Sequence, residues 1–141
     1  MTFPRPEEIL PHRPPFLFVD EITALTPGKN ASGLWRLTGS EDFFRGHFPG
    51  RPLLPGVLMV EAMAQLGGIA LLTDERYSGS LALFGGIDKA RFRRQVGPGD
   101  TLEMAIELDQ LGSNAGKGHG TATVLGKTAA TVSMLFVLAR A

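Results

Sequence analysis

The chain has no cysteine in its 141 residues. That excludes disulfides, thiolate nucleophiles and thiolate metal sites together. An excess of either charge is also missing: fourteen basic residues balance fourteen acidic ones. A neutral chain offers no global attraction to nucleic acid or an anionic membrane, so an acidic partner has to be met by a local patch. Long hydrophobic runs are scarce. The longest, Val57 to Leu72, is broken by Glu61, Gln65, Gly67 and Gly68 and falls short of the ~20 residues a membrane span needs, so no membrane insertion is expected. Met1 to Leu10 is proline-rich and charged, without a signal-peptide apolar core. The simplest expectation is a cytoplasmic protein. His12, His47 and His119 are dispersed and lack clustered carboxylates, so no metal site is expected. An apolar fraction of 43% and a charged fraction of 20% are ordinary globular values. One domain over residues 1–141 is expected, with roughly two-thirds of the unfolded surface buried.

What the chain does have is a strong punctuation by proline and glycine. Glu7 to Leu10 suits one helical turn, ended by Pro11. Phe16 to Val19 is a short apolar run that predicts a buried strand continuing to Leu25. Thr26 to Asn30 is a turn cluster, and Ala31 to Thr38 predicts a strand pairing back. Asp42 to Leu54 is a proline-glycine loop. A helix follows from Pro55 or Gly56, since proline suits a first helical position. From Val57 to Leu72 the pattern leaves no polar face, which makes it a core helix wrapped by other elements. Further strands are predicted at Leu81–Phe84 running on through Ile87–Arg93, at Thr101–Leu108, at Gly120–Leu125 and at Thr128–Leu138. Turns fall at Gly97–Asp100, around Leu111–Gly118 and at Gly126-Lys127. Thr101–Leu108 alternates most cleanly, with Leu102, Met104, Ile106 and Leu108 on one face. The predicted class is α+β, with a curved antiparallel sheet of about five to six strands around one long buried helix.

The chemistry concentrates where the loop enters that helix. A helix N-terminus presents unpaired N–H groups and a partial positive charge, and glycine at position 56 lets a ligand carbonyl approach closely. Glu61 lies five residues on, about 7.5 Å along the axis. Gln65 is one turn further on the same face, within reach of the carboxylate. His47 precedes Glu61 by fourteen residues on the proline-stiffened loop. An imidazole takes and gives protons near neutrality, and a carboxyl in apolar surroundings tends to hold its proton, which suits an acid. His47, Glu61 and the Gly56 N–H thus form a base, an acid and an oxyanion donor. That set suits proton abstraction beside a thioester carbonyl with loss of a β-hydroxyl. Spacing alone leaves two other readings open: a structural loop histidine, and a glutamate in an oligomer-interface ion pair.

The motifs Gly46-His47-Phe48-Pro49-Gly50-Arg51-Pro52, Pro55-Gly56-Val57-Leu58 and Glu61-Ala62-Met63-Ala64-Gln65 resemble the (3R)-hydroxyacyl-acyl-carrier-protein dehydratases of the FabZ type, in the hotdog-fold superfamily. Leu10–Asp20 and Gly86–Phe92 with Pro98-Gly99-Asp100 resemble the same family, so the likeness covers nearly the whole chain. It implies that His47 is the catalytic base and acid, Glu61 its partner, Gly56 N–H the carbonyl-polarising donor, and Gln65 a lining residue. It implies a homodimer formed by joining two sheets, with histidine and glutamate supplied by opposite subunits, and assembly of three dimers into a hexamer. It implies no cofactor, and an acyl carrier protein delivering a phosphopantetheine-linked chain into a tunnel along the central helices. Glutamate at 61, where the related dehydratase-isomerases carry aspartate, favours the FabZ branch.

Two positions depart from the family pattern: Pro14 stands where an aromatic is usual, and Ser113–Gly118 lacks bulky residues. Both bear on substrate preference and leave a polyketide-type system open. An acidic carrier protein requires a basic patch, and Lys89, Arg91, Arg93 and Arg94 form the densest basic cluster. Each also reads as part of a solvated strand face. His12 and Arg13 read as structural, pinning the N-terminal segment, and His119 as exposed in a glycine-rich turn. The alternatives are a hotdog acyl thioesterase, a dehydratase-isomerase and a non-catalytic acyl-binding hotdog.

Overall fold

In a computed structural model, residues 2–140 are described, and Met1 and Ala141, the ends of the expected domain, lie outside them. The apolar stretch after Pro55 forms one helix, α3 (Gly56–Leu72), which is the axis of the molecule. Pro55 caps it from extended backbone, and its carbonyl accepts from the Leu58 N–H at 3.0 Å. At the other end the Thr73 hydroxyl bonds the Ile69 carbonyl at 2.7 Å, using one of the acceptors a helix end leaves free. From Met59 to Leu71 every residue but Glu61 is buried, as a helix without a polar face requires.

The sheet that grips it has six strands: β1 (Glu21–Thr26), β2 (Asn30–Arg36), β3 (Ser80–Phe92), β4 (Thr101–Asp109), β5 (Ala115–Val124) and β6 (Lys127–Arg140). Their spatial order is β1-β2-β4-β5-β6-β3, with every neighbour antiparallel. On β4 the alternation holds: Leu102, Met104 and Ile106 are buried against α3, while Glu103, Ala105 and Glu107 face outward. Two short helices, α1 (Pro6–Ile9) and α2 (Phe43–Gly46), flank the N-terminal segment and the loop before α3. No helix among the described residues is long and apolar enough to cross a membrane.

Three local expectations change. Phe16–Val19 is buried at Phe18 and Val19 but is not a strand; β1 begins only at Glu21. The Phe18 N–H and the Phe16 carbonyl are bonded by the Gln65 side chain instead of by the sheet. The proline-glycine loop contains α2, closed by the His47 N–H donating to the Phe43 carbonyl at 3.0 Å. The second half of the region Leu111–Gly118 is strand: β5 starts at Ala115 and carries His119 within it. Gly116, Gly118 and Gly120 are its buried inward positions. A Cβ on Gly120 would stand 3.1 Å from Met63 Sδ of α3, so glycine here lets the helix lie close to the sheet. His119 is exposed as expected, lying between Glu107 at 3.3 Å and Asp109 at 3.4 Å on the outer face. The strand expected to run on from Leu81 is continuous as β3, and its register shifts at two points, between Phe84 and Gly86 and between Ile87 and Lys89.

Candidate active site

The loop carrying His47 is held by its own backbone. Phe48 and Arg51 exchange hydrogen bonds at 3.0 and 2.8 Å around Pro49 and Gly50, and Gly50 takes the positive φ of +76° that favours glycine. The Leu53 N–H donates to the His47 carbonyl at 2.8 Å, and Leu54 is tied to Val96 at 2.7 Å. The imidazole completes this frame: Nδ1 lies 2.9 Å from the Leu53 carbonyl oxygen. A carbonyl only accepts, so Nδ1 carries the proton and Nε2 presents a bare lone pair. The ring is half-buried and stacks on Phe48, with centroids 4.0 Å apart. The tautomer a general base needs is therefore set by the loop.

Glu61 sits on α3 one turn before Gln65, which is 2% exposed and fully used. The Gln65 Oε1 accepts from the Phe18 N–H at 2.8 Å. Its Nε2 donates to the Phe16 carbonyl at 2.9 Å and to Glu61 Oε2 at 3.0 Å. The amide thus locks the carboxyl and anchors the irregular segment Phe16–Phe18 to the helix. The Glu61 side chain is 21% exposed, not sealed as its apolar neighbours in sequence predict. It opens on a cavity of about 250 Å³ with Gln65, His12, Leu72, Leu83, Phe84 and Phe136 in its wall. His12 Nε2 stands 3.8 Å from Glu61 Oε2. That histidine, read from the sequence as structural, faces the carboxylate, and only its place between two prolines and an apolar run hinted at a fixed position.

Gly56 is the first residue of α3, so its N–H has no acceptor within the helix. A Cβ there would lie 2.8 Å from the Phe92 ring, so this approach too is tight. His47 and Gly56 do not line the cavity at Glu61. Within one chain the polar neighbours of Glu61 are Gln65 and His12, and that of the His47 ring is Leu53. Lys89, Arg91, Arg93 and Arg94 are all exposed at the end of β3 and just beyond it. Among the described residues none of the four is ion-paired, and no group of histidines and carboxylates is arranged to hold a metal.

One long helix held by a six-stranded antiparallel sheet, with a cavity along its middle turns, defines a hotdog-fold protein. The same fold is seen in a chain of the dehydratase heterocomplex ApeI:P from Xenorhabdus doucetiae, which superposes with a TM-score of 0.81 at 16% identity over 96% of this chain and 91% of that one. A family model described as the FabA-like domain matches residues 10–133. In sequence the chain is 51% identical to the 3-hydroxyacyl-[acyl-carrier-protein] dehydratase FabZ of Clostridium botulinum (strain Kyoto / Type A2), over 95% of this chain and 93% of that protein. It is 49% identical to the protein of the same name from Clostridium novyi (strain NT), over 95% and 94%. The chain belongs to the FabA-like domain family and, within it, to the FabZ type.

Proposed function

We propose that the protein dehydrates (3R)-hydroxyacyl groups carried on acyl carrier protein, giving trans-2-enoyl thioesters in fatty acid chain elongation. It is a hydro-lyase of the FabZ type. The observation that carries the site assignment is the carboxylate of Glu61, held by Gln65 in an otherwise apolar helix and open to a cavity with polar and apolar walls. In this reading His47 Nε2 takes the proton from C2, and the electron pair forms the C2–C3 double bond. The C3 hydroxyl departs with a proton from Glu61 as water. The Gly56 N–H hydrogen-bonds the thioester oxygen as negative charge builds there. The chain needs no redox step or cofactor for this, because it only moves protons and expels water.

The acyl chain extends along the wall made by Leu72, Leu83, Phe84 and Phe136. The chain is a single domain, working in the cytoplasm as a homodimer that assembles further into a hexamer. The separation of His47 from the Glu61 cavity within a chain supports a site completed across two subunits. So does β3, an edge strand whose Leu83, Phe84, Ile87 and Phe92 are exposed. The carrier protein docks on Lys89, Arg91, Arg93 and Arg94.

The test is incubation with 3-hydroxyacyl-acyl-carrier protein of several chain lengths, read by ultraviolet absorbance of the enoyl thioester and by mass. Loss of 18 Da (one water) is expected, on the order of 10²-fold or more slower in His47→Ala and in Glu61→Gln. Release of free thiol points instead to a thioesterase, and cis-3-enoyl product to a dehydratase-isomerase. Near-normal turnover by either variant removes that residue from the mechanism.

A further inference from the structure

The cavity at Glu61 contains a second ionisable side chain that the reaction above does not use. His12 lies in the irregular segment after α1, and its backbone is clamped by Arg13, whose Nη1 donates to the Leu10 carbonyl at 2.8 Å and the His12 carbonyl at 2.7 Å. Its ring is 27% exposed, with Nε2 facing Glu61 Oε2 at 3.8 Å. Nδ1 on the other side is buried and has no partner among the described residues. Nδ1 is unpaired whether it carries the proton or a lone pair, so the choice of tautomer falls to Nε2, where a proton points at a carboxylate oxygen. The same Oε2 already accepts from Gln65 Nε2 at 3.0 Å. One oxygen of Glu61 is therefore bonded by Gln65 and faced, at a longer distance, by His12 from a separate element. The other, Oε1, is left for the cavity.

We infer that His12 is a positioning residue: with Gln65 it holds Oε2 of Glu61, so that Oε1 is the atom presented to the leaving hydroxyl of the substrate. At 3.8 Å the ring is beyond direct hydrogen-bond reach and acts on the carboxyl through its N–H dipole. The inference rests on the reading of Glu61 given above, and deepens it by giving the N-terminal segment a part in aligning the acid.

The experiment is a double-mutant cycle on 3-hydroxyacyl-acyl-carrier protein, with melting temperature measured for every variant. His12→Ala is expected to lower kcat by about three- to fivefold, less than the loss of a direct hydrogen bond because the ring stands off the carboxyl, with KM unchanged within about twofold. His12→Gln, whose amide N–H reaches toward the same oxygen, recovers most of that loss. In the Glu61→Gln background, removing His12 costs nothing further, because there is no carboxylate left to align. A wild-type kcat in His12→Ala overturns the inference. So does the same fractional loss in both backgrounds, which is what a merely structural histidine produces. Should His12→Ala fail to fold, His12→Phe preserves ring volume without the donor, and a wild-type kcat there is equally fatal. A parent enzyme that forms no enoyl product defeats the proposed function instead, which separates the two failures.

Discussion

Gln65 is the residue on which fold and site depend together, so its replacement is the sharpest test. Gln65→Leu keeps the volume and removes three hydrogen bonds at once. Phe16 is 49% exposed, so its carbonyl finds water and costs little. Glu61 is 21% exposed on its side chain and recovers part of its loss the same way. The Phe18 N–H belongs to a residue 4% exposed and has no such recourse. A buried donor left unpaired costs about 1–3 kcal/mol, and a bond to a charged group about 1.5–3 kcal/mol before water is credited. The sum is about 2–4 kcal/mol. For a domain of this size, at about 3–5 °C per kcal/mol, Tm falls by roughly 6–20 °C. The apolar gain from leucine does not cancel this, since only one partner of each bond is replaced. Thermal unfolding by circular dichroism reads the stability, and steady-state dehydration reads the expected fall in kcat of about tenfold. Gln65→Glu serves as the control. It keeps an acceptor for Phe18 but sets a carboxylate beside Glu61, so its deficit should shrink as pH falls and a proton restores the donor, while the deficit of Gln65→Leu should not. A Tm within about 2 °C of the parent for Gln65→Leu would refute this account of how the segment Phe16–Phe18 is held.

Three other perturbations follow from the same geometry. Arg91→Glu with Arg93→Glu should raise the apparent KM severalfold for carrier-protein substrate and leave that for a short pantetheine thioester unchanged; equal KM values for both would remove these residues from docking. Gly67→Ala should destabilise by about 1–3 kcal/mol despite alanine's better helix propensity, because a Cβ there runs into the buried Phe136 ring; a gain in urea midpoint would contradict it. At Glu41, burial pushes the carboxyl up, but hydrogen bonds from its own amide and from Thr38 and Gly39 outweigh it and hold the group below the usual carboxylate range. A lowered native value stabilises the fold above the unfolded value and stops doing so as pH falls through the native one. The stability difference between the parent and Glu41→Gln should therefore shrink between about pH 6 and pH 3, and a difference that stays constant with pH would show that ionisation there is not linked to folding.

The long helix and the face of β4 were legible because both depend on burial, and burial is written directly into apolar periodicity. Glu61 and Gln65 were legible for the same reason in reverse, as polar residues where the period demands apolar ones. β5 was not, because Gly116, Gly118 and Gly120 occupy its inward positions. Glycine ordinarily marks a turn, and here it marks the line along which α3 crowds the sheet. His12 was missed because its role depends on a residue 49 positions away (61 − 12), and nothing in its own neighbourhood registers that contact.

The segment Phe16–Val19 shows where periodicity stops being informative. Its apolar run predicts burial, and Phe18 and Val19 are buried. A strand also needs neighbours for its amides, and at Phe16 and Phe18 that neighbour is the Gln65 side chain instead of another strand. One amide that bonds both this segment and Glu61 makes the segment's position and the carboxyl's orientation a single variable. A change that displaces Phe16–Phe18 must therefore move Glu61 Oε2 as well, and one that removes the Glu61 carboxylate frees a bond that helps hold the segment. Loss of activity and loss of local order should accordingly travel together at Gln65 and separate at His47, whose loop is closed by its own backbone and by Leu53.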